Sequence, residues 1–72
     1  MLGDELRKAR LKAGLTQEEL AFRANLDRSY VSLLEHDHKS PTVTVLFRIC
    51  EALGASPGRL ISRVEKKKRG RP

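Results

Sequence analysis

The sequence predicts an all-α domain, a compact bundle of five helices. Three observations predict it. Apolar residues recur at helical spacing through the body of the chain, and no segment alternates with period two for long enough to be a strand. Capping residues and glycines punctuate that pattern at short intervals. A length of 72 residues leaves room for one small domain.

Each helix has its own signals. Leu2, Leu6, Ala9 and Ala13 step by four, three and four, which places them on one face of a first helix that Gly14 stops. Thr16-Gln17-Glu18-Glu19 is a capping box, in which the Thr hydroxyl and the Glu carboxylate satisfy exposed backbone donors reciprocally. It opens a second helix, Gln17 to about Ala24, that buries Leu20, Ala21 and Ala24. Asn25 tolerates left-handed backbone and makes a turn. Asp27 caps a third helix, Arg28 to about His36, with a narrow apolar stripe of Val31 and Leu34. The stretch HDHKSP is a loop. Thr42 caps a fourth helix with Leu46, Ile49, Cys50 and Leu53 at i, i+3, i+4 and i+7, ended by Gly54. Ser56 and Pro57 open a fifth, lined by Leu60, Ile61 and Val64. These helices make up a domain of residues 1–65. Residues 66–72, KKKRGRP, are too charged to bury anything and are expected to form a disordered basic tail.

Fifteen Lys and Arg stand against nine Asp and Glu, a net charge of +6. Five of the basic residues lie in 66–72, so the body holds ten basic and nine acidic residues and is nearly neutral. No apolar run approaches the roughly 20 residues of a membrane span. The polar N-terminus MLGDELRKAR is not a secretory signal, and one cysteine builds neither a disulfide nor a Cys-based zinc site. A cytoplasmic setting is expected. Cys50 reads as a small buried hydrophobe. His36 and His38 lack further ligands nearby in sequence, so no metal and no cofactor is expected. No Ser/His/Asp set, glycine-rich phosphate loop or carboxylate pair points to an enzyme. With aromatics at 4%, base-stacking platforms for single strands are not expected.

The second and third helices form a specific object. Ala21 lets them approach closely, Asn25 turns the chain between them, and Leu20, Leu26, Val31 and Leu34 fill the space beneath. The outer face of the third helix is left free to enter a DNA major groove.

The stretches LRKARLKAGLTQEELA and NLDRSYVSLLEHDHKSPTVTVLFRICEALGASPGRL resemble the Xre/Cro-type helix-turn-helix family, which includes phage repressors and the controller proteins of restriction–modification systems. The resemblance covers roughly residues 4–64, and the run LDRSYVS is similar to the controller branch in particular. It implies a lambda-repressor-like fold. One departure is Asn25, where the family usually has Gly; Asn keeps the left-handed option.

The resemblance implies roles for matching positions. Gln17 would hold a DNA phosphate with its side chain and backbone N–H, as the dipole of a helix N-terminus favours. Arg10 and Glu35 would tie the first helix to the end of the third. Lys39, Ser40 and Thr42 would contact the DNA backbone. The C-terminal helices, through Leu60, Ile61 and Val64, would form a homodimer that reads an inverted repeat.

Chemistry adds the rest. An Arg at the start of a recognition helix can bond guanine bidentately, which makes Arg28 the first base-reading candidate; its alternative is a phosphate contact or a solvated charge. Ser29 and Ser32 share the outward face, and Leu33 could meet a thymine methyl or be a plain surface leucine. Tyr30 reaches a phosphate or packs against the second helix. Arg23 is a phosphate contact or an exposed charge. In the tail, Lys66, Lys67, Lys68, Arg69 and Arg71 would add DNA affinity. Arg69-Gly70-Arg71-Pro72 resembles the core of an AT-hook, which reads a narrow A·T minor groove; nonspecific phosphate contact is the competing reading.

The expected function is sequence-specific binding of double-stranded DNA by a dimeric transcriptional regulator that blocks or recruits RNA polymerase. A restriction–modification controller is the preferred subtype. A phage-type repressor and an antitoxin-like interaction module are the alternatives.

Overall fold

A computed structural model describes residues 1–69. Five helices follow in order: α1 Leu2–Lys12, α2 Gln17–Ala24, α3 Arg28–Glu35, α4 Val43–Leu53 and α5 Pro57–Arg69. No strand occurs among the described residues. α1 packs against α3 and α5, and α2 packs against α3 and α4. The core is therefore shared: Leu6, Leu20, Val31, Leu34, Ile49, Cys50 and Leu60 come from all five helices and are almost fully buried. Each such leucine or isoleucine contributes about 1.5–3 kcal/mol through burial.

The helix ends obey local chemistry. Thr16 Oγ1 accepts from Glu19 N–H at 3.0 Å while Glu19 Oε1 accepts from Thr16 N–H at 2.9 Å, completing the capping box. Asp27 caps α3 and Thr42 caps α4, through Ser29 N–H at 3.1 Å and Val45 N–H at 3.1 Å. Asn25 is left-handed at φ 56°, as the turn requires, and Gly54 ends α4 at φ 67°.

Three features depart from the expectations. α1 ends at Lys12 with left-handed Gly14 just past its Ala13 cap, and Ala13 is exposed rather than on the packed face with Leu2, Leu6 and Ala9. α5 runs to Arg69, so residues 66–69 are helical, not a disordered tail. Lysine is a good helix former, and cations suit the negative C-terminal end of a helix. An ion pair also ties the helix down: Lys67 Nζ lies 2.6 Å from a carboxylate oxygen of Glu5, which is itself 4% exposed on α1. Gly70, Arg71 and Pro72, and with them most of the hook-like motif, lie outside the described residues. Finally, Leu60 is 1% exposed and belongs to the core, so it cannot meet a partner; Ile61 is exposed and Val64 half-buried. The apolar stripe of α5 is split between the core and the surface.

Candidate nucleic-acid interface

α3 is held from behind by a charged network. Arg10 Nε donates to Glu35 Oε2 at 2.7 Å and Arg10 Nη2 to Glu35 Oε1 at 3.0 Å, a bidentate pair. Arg10 Nη1 also donates to Leu15 O at 2.9 Å, which pins the α1–α2 loop. Gln17 Nε2 donates to Glu35 Oε1 at 3.1 Å. Three helices thus converge on one carboxylate whose side chain is 1% exposed. A carboxylate can be buried at this depth because every acceptor is used, and removing its partner would leave an uncompensated charge.

The same bond shapes what Gln17 can do. Its side chain is committed to Glu35. The capping box satisfies the Thr16 and Glu19 amides, which leaves those of Gln17 and Glu18 as first-turn donors without an intrahelical partner. They open onto a cleft lined by Arg10, Gly14, Thr16, Gln17, Glu18 and Arg28. A helix N-terminus and an exposed guanidinium on one cleft suit a phosphate oxygen.

The outward face of α3 carries Arg28, Ser29 and Leu33 exposed and Ser32 half-buried. Arg28 is the first residue of the helix and is exposed there. The Ser29 hydroxyl donates to Asp27 Oδ2, so this serine is engaged by the cap. That bond and the Ser29 N–H hold the Asp27 carboxyl below the usual carboxylate range. Tyr30 is half-buried and packs against the core.

The loop after α3 folds back onto that helix. His38 N–H donates to Leu33 O at 2.9 Å and Lys39 N–H to the same oxygen at 3.4 Å. This fixes the loop bearing exposed Lys39 and Ser40 beside the outward face. Thr42 Oγ1 accepts in its capping bond and keeps its own proton to donate. Arg23 stands apart. It lies on the last turn of α2 and lines a different cleft, with Asn25, Arg48, Glu51 and Ala52. Lys66, Lys67 and Lys68 lie on the last turns of α5, with Lys67 paired to Glu5. His36 and His38 meet edge to face at 6.1 Å, and among the described residues no group of side chains could hold a metal. Cys50 is fully buried, and that burial raises its thiol pKa.

Residue types alone did not reveal three further contacts. Gly3 lies against the end of α3: a Cβ there would stand 2.4 Å from Glu35 O. Asp37, left-handed at φ 57°, caps α1 from the loop, accepting from Gly3 N–H at 2.9 Å and from the Met1 amino group at 3.0 Å. Arg48 on α4 reaches the α2–α3 turn. A glycine early in a helical pattern was the one signal available, since it marks a close approach. Asp37 and Arg48 gave none, because their partners lie 34 and 24 residues away.

Residues 6–60 match the helix-turn-helix family. The HTH-type transcriptional regulator y4dJ of Sinorhizobium fredii is 36% identical over 62 residues, spanning 86% of this chain and 80% of that protein. Control protein C.BamHI of Bacillus amyloliquefaciens is 34% identical over 62 residues, spanning 85% of this chain and 76% of that protein. The crystal structure of the restriction–modification controller protein C.AhdI from Aeromonas hydrophila superposes with a TM-score of 0.79 at 37% identity, covering 82% of this chain and 89% of that one.

Proposed function

From the premise that this chain belongs to the Xre-type helix-turn-helix family of DNA-binding transcriptional regulators, we propose that it acts as a homodimer on an inverted-repeat operator, as the controller of a restriction–modification system. The observation that carries this reading is α3 itself: its inner face is locked by Glu35, and its outer face is exposed and headed by Arg28. The similarity to C.AhdI and C.BamHI supports the controller subtype.

In this reading Arg28 enters the major groove and bonds a guanine at O6 and N7. Ser32 and Leu33 follow it along the groove floor. Ser29, engaged by Asp27, reads a base only by exchanging that bond. The Gln17 and Glu18 amides, Tyr30, Lys39, Ser40 and Thr42 hold the backbone on either side, and these contacts set register rather than sequence. Arg23, at the far end of α2, is a weaker phosphate candidate. Lys66 and Lys68 add salt-sensitive affinity, and Lys67 does so only by leaving Glu5.

The dimer surface is the exposed part of α4 and α5. Phe47 is 56% exposed and Ile61 50%, and they share one groove with Pro57. Val64 lies one turn on. A two-fold axis here would place the recognition helices about 34 Å apart, one DNA turn. Bound at a promoter in the cytoplasm, such a dimer would block or recruit RNA polymerase.

Selection from a random duplex library, with sedimentation of the free protein, tests this. The expected result is an inverted repeat and a dimer. Recovery of no repeat, with no salt-sensitive binding, would favour an interaction module of the antitoxin type.

A further inference from the structure

The turn between α2 and α3 is gripped from outside the helix pair. α2 ends at Ala24, and left-handed Asn25 sets the direction in which α3 departs. Some of the end carbonyls are satisfied locally: Leu26 N–H donates to Ala21 O at 2.8 Å, and Asn25 N–H to Phe22 O at 3.2 Å. The carbonyls of Ala24 and Asn25 are taken by α4. Arg48 Nε donates to Ala24 O at 3.1 Å, and Arg48 Nη2 donates to Ala24 O at 2.7 Å and to Asn25 O at 2.6 Å. A planar guanidinium spanning two successive carbonyls fixes direction as well as distance, which a lysine ammonium cannot do. Its charge also suits the negative end of α2.

The neighbour of Arg48 on α4 is Phe47, whose exposed ring shares the groove with Ile61. Successive residues of a helix point about 100° apart. One short stretch of α4 therefore grips the helix-turn-helix turn with one side chain and offers the apolar face with the next.

We infer that Arg48 is a positioning residue for DNA reading: it fixes the direction of α3 against α4, and through the dimer it sets the separation of the two recognition helices. This inference rests on the dimer proposed above. Arg48 touches no base. Its effect is on the spacing between half-sites, not on the sequence within each.

The test compares affinities for operators with identical half-sites and spacers changed by one or two base pairs. Wild type, Arg48→Gln, Arg48→Lys and the core control Ile49→Val are measured, each with sedimentation and a melting curve. Wild type should favour one spacer by about tenfold or more, and Arg48→Gln should reduce that preference to about twofold while keeping the dimer and the half-site sequence. Arg48→Lys should fall between them, and Ile49→Val should keep the wild-type preference despite a lower melting temperature. A dimeric Arg48→Gln protein with the wild-type spacer preference would overturn the inference. So would an Ile49→Val protein that loses the preference equally, because general destabilisation would then suffice. If Arg48→Gln does not fold, Arg48→Lys decides: an unchanged spacer preference overturns the assignment. A wild-type monomer, or wild type indifferent to spacing, would instead sink the dimer reading itself.

Discussion

Compare the two sides of α3. Inward, Val31, Leu34 and Glu35 are buried, and Glu35 alone receives bonds from α1 and α2. Outward, Arg28 and Leu33 are exposed, and Arg28 is exposed at the head of the helix. The inner side gains stability from partners already present. On the proposed reading, the outer side gains its partners from DNA. If α3 reads DNA as proposed, a shift would spoil its register, and its rigidity is supplied from behind, away from the proposed base-reading side chains. Stability and recognition should therefore separate by mutation.

The largest expected effect is on the inner side. Glu35→Ala strands the buried Arg10 guanidinium, and urea unfolding should show a loss of about 3–5 kcal/mol. A loss under about 1 kcal/mol would mean the network is slack. Gly3→Ala comes next. Its new Cβ must push the Glu35 carbonyl away, which should cost about 1–3 kcal/mol in the same assay.

Acid should act on the scaffold around α1, which backs the end of α3. The Met1 amino group, then the Gly3 N–H, holds the Asp37 carboxyl below the usual carboxylate range. The Lys67 ammonium does the same for Glu5. Both groups bind protons more weakly folded than unfolded. Their stabilisation is thus present at neutral pH and fades as pH falls below roughly 4 through the folded values. Asp37→Asn, which keeps the left-handed option, should flatten part of that acid limb in urea midpoints taken from pH 7 to pH 3. An identical limb would show that Asp37 does not contribute.

The smallest stability effect belongs to the outer side. Arg28→Ala should change the unfolding free energy by no more than about 0.5 kcal/mol. A larger loss would join Arg28 to the scaffold and blur the division.

How much of this was legible depends on the range of the interaction. Caps are local, so Thr16, Asp27 and Thr42 announced their helices within three residues. Leu20, Ala21, Val31 and Leu34 were legible because burial follows helical period. Polar contacts between distant segments left no local trace: Arg48 with Ala24, Asp37 with Gly3, and Lys67 with Glu5. Two of the corrected readings turned on which neighbour packs where. The end of α5 is helical because α1 supplies a buried carboxylate that composition could not reveal. Leu60 is core rather than interface because the apolar stripe of one helix does not say which neighbour will cover it. In the site, the outward face of α3 could be read from spacing, while the commitment of Gln17 to Glu35 and of Ser29 to Asp27 could not.

The division of α3 is tested most directly by the Arg28→Ala protein in a random-duplex selection beside wild type. The expected outcome is the wild-type repeat with one base pair per half-site made degenerate, a loss of about 1–3 kcal/mol of discrimination at that pair alone. Uniform weakening across all sequences, with the repeat intact, would make Arg28 a phosphate contact and contradict the account.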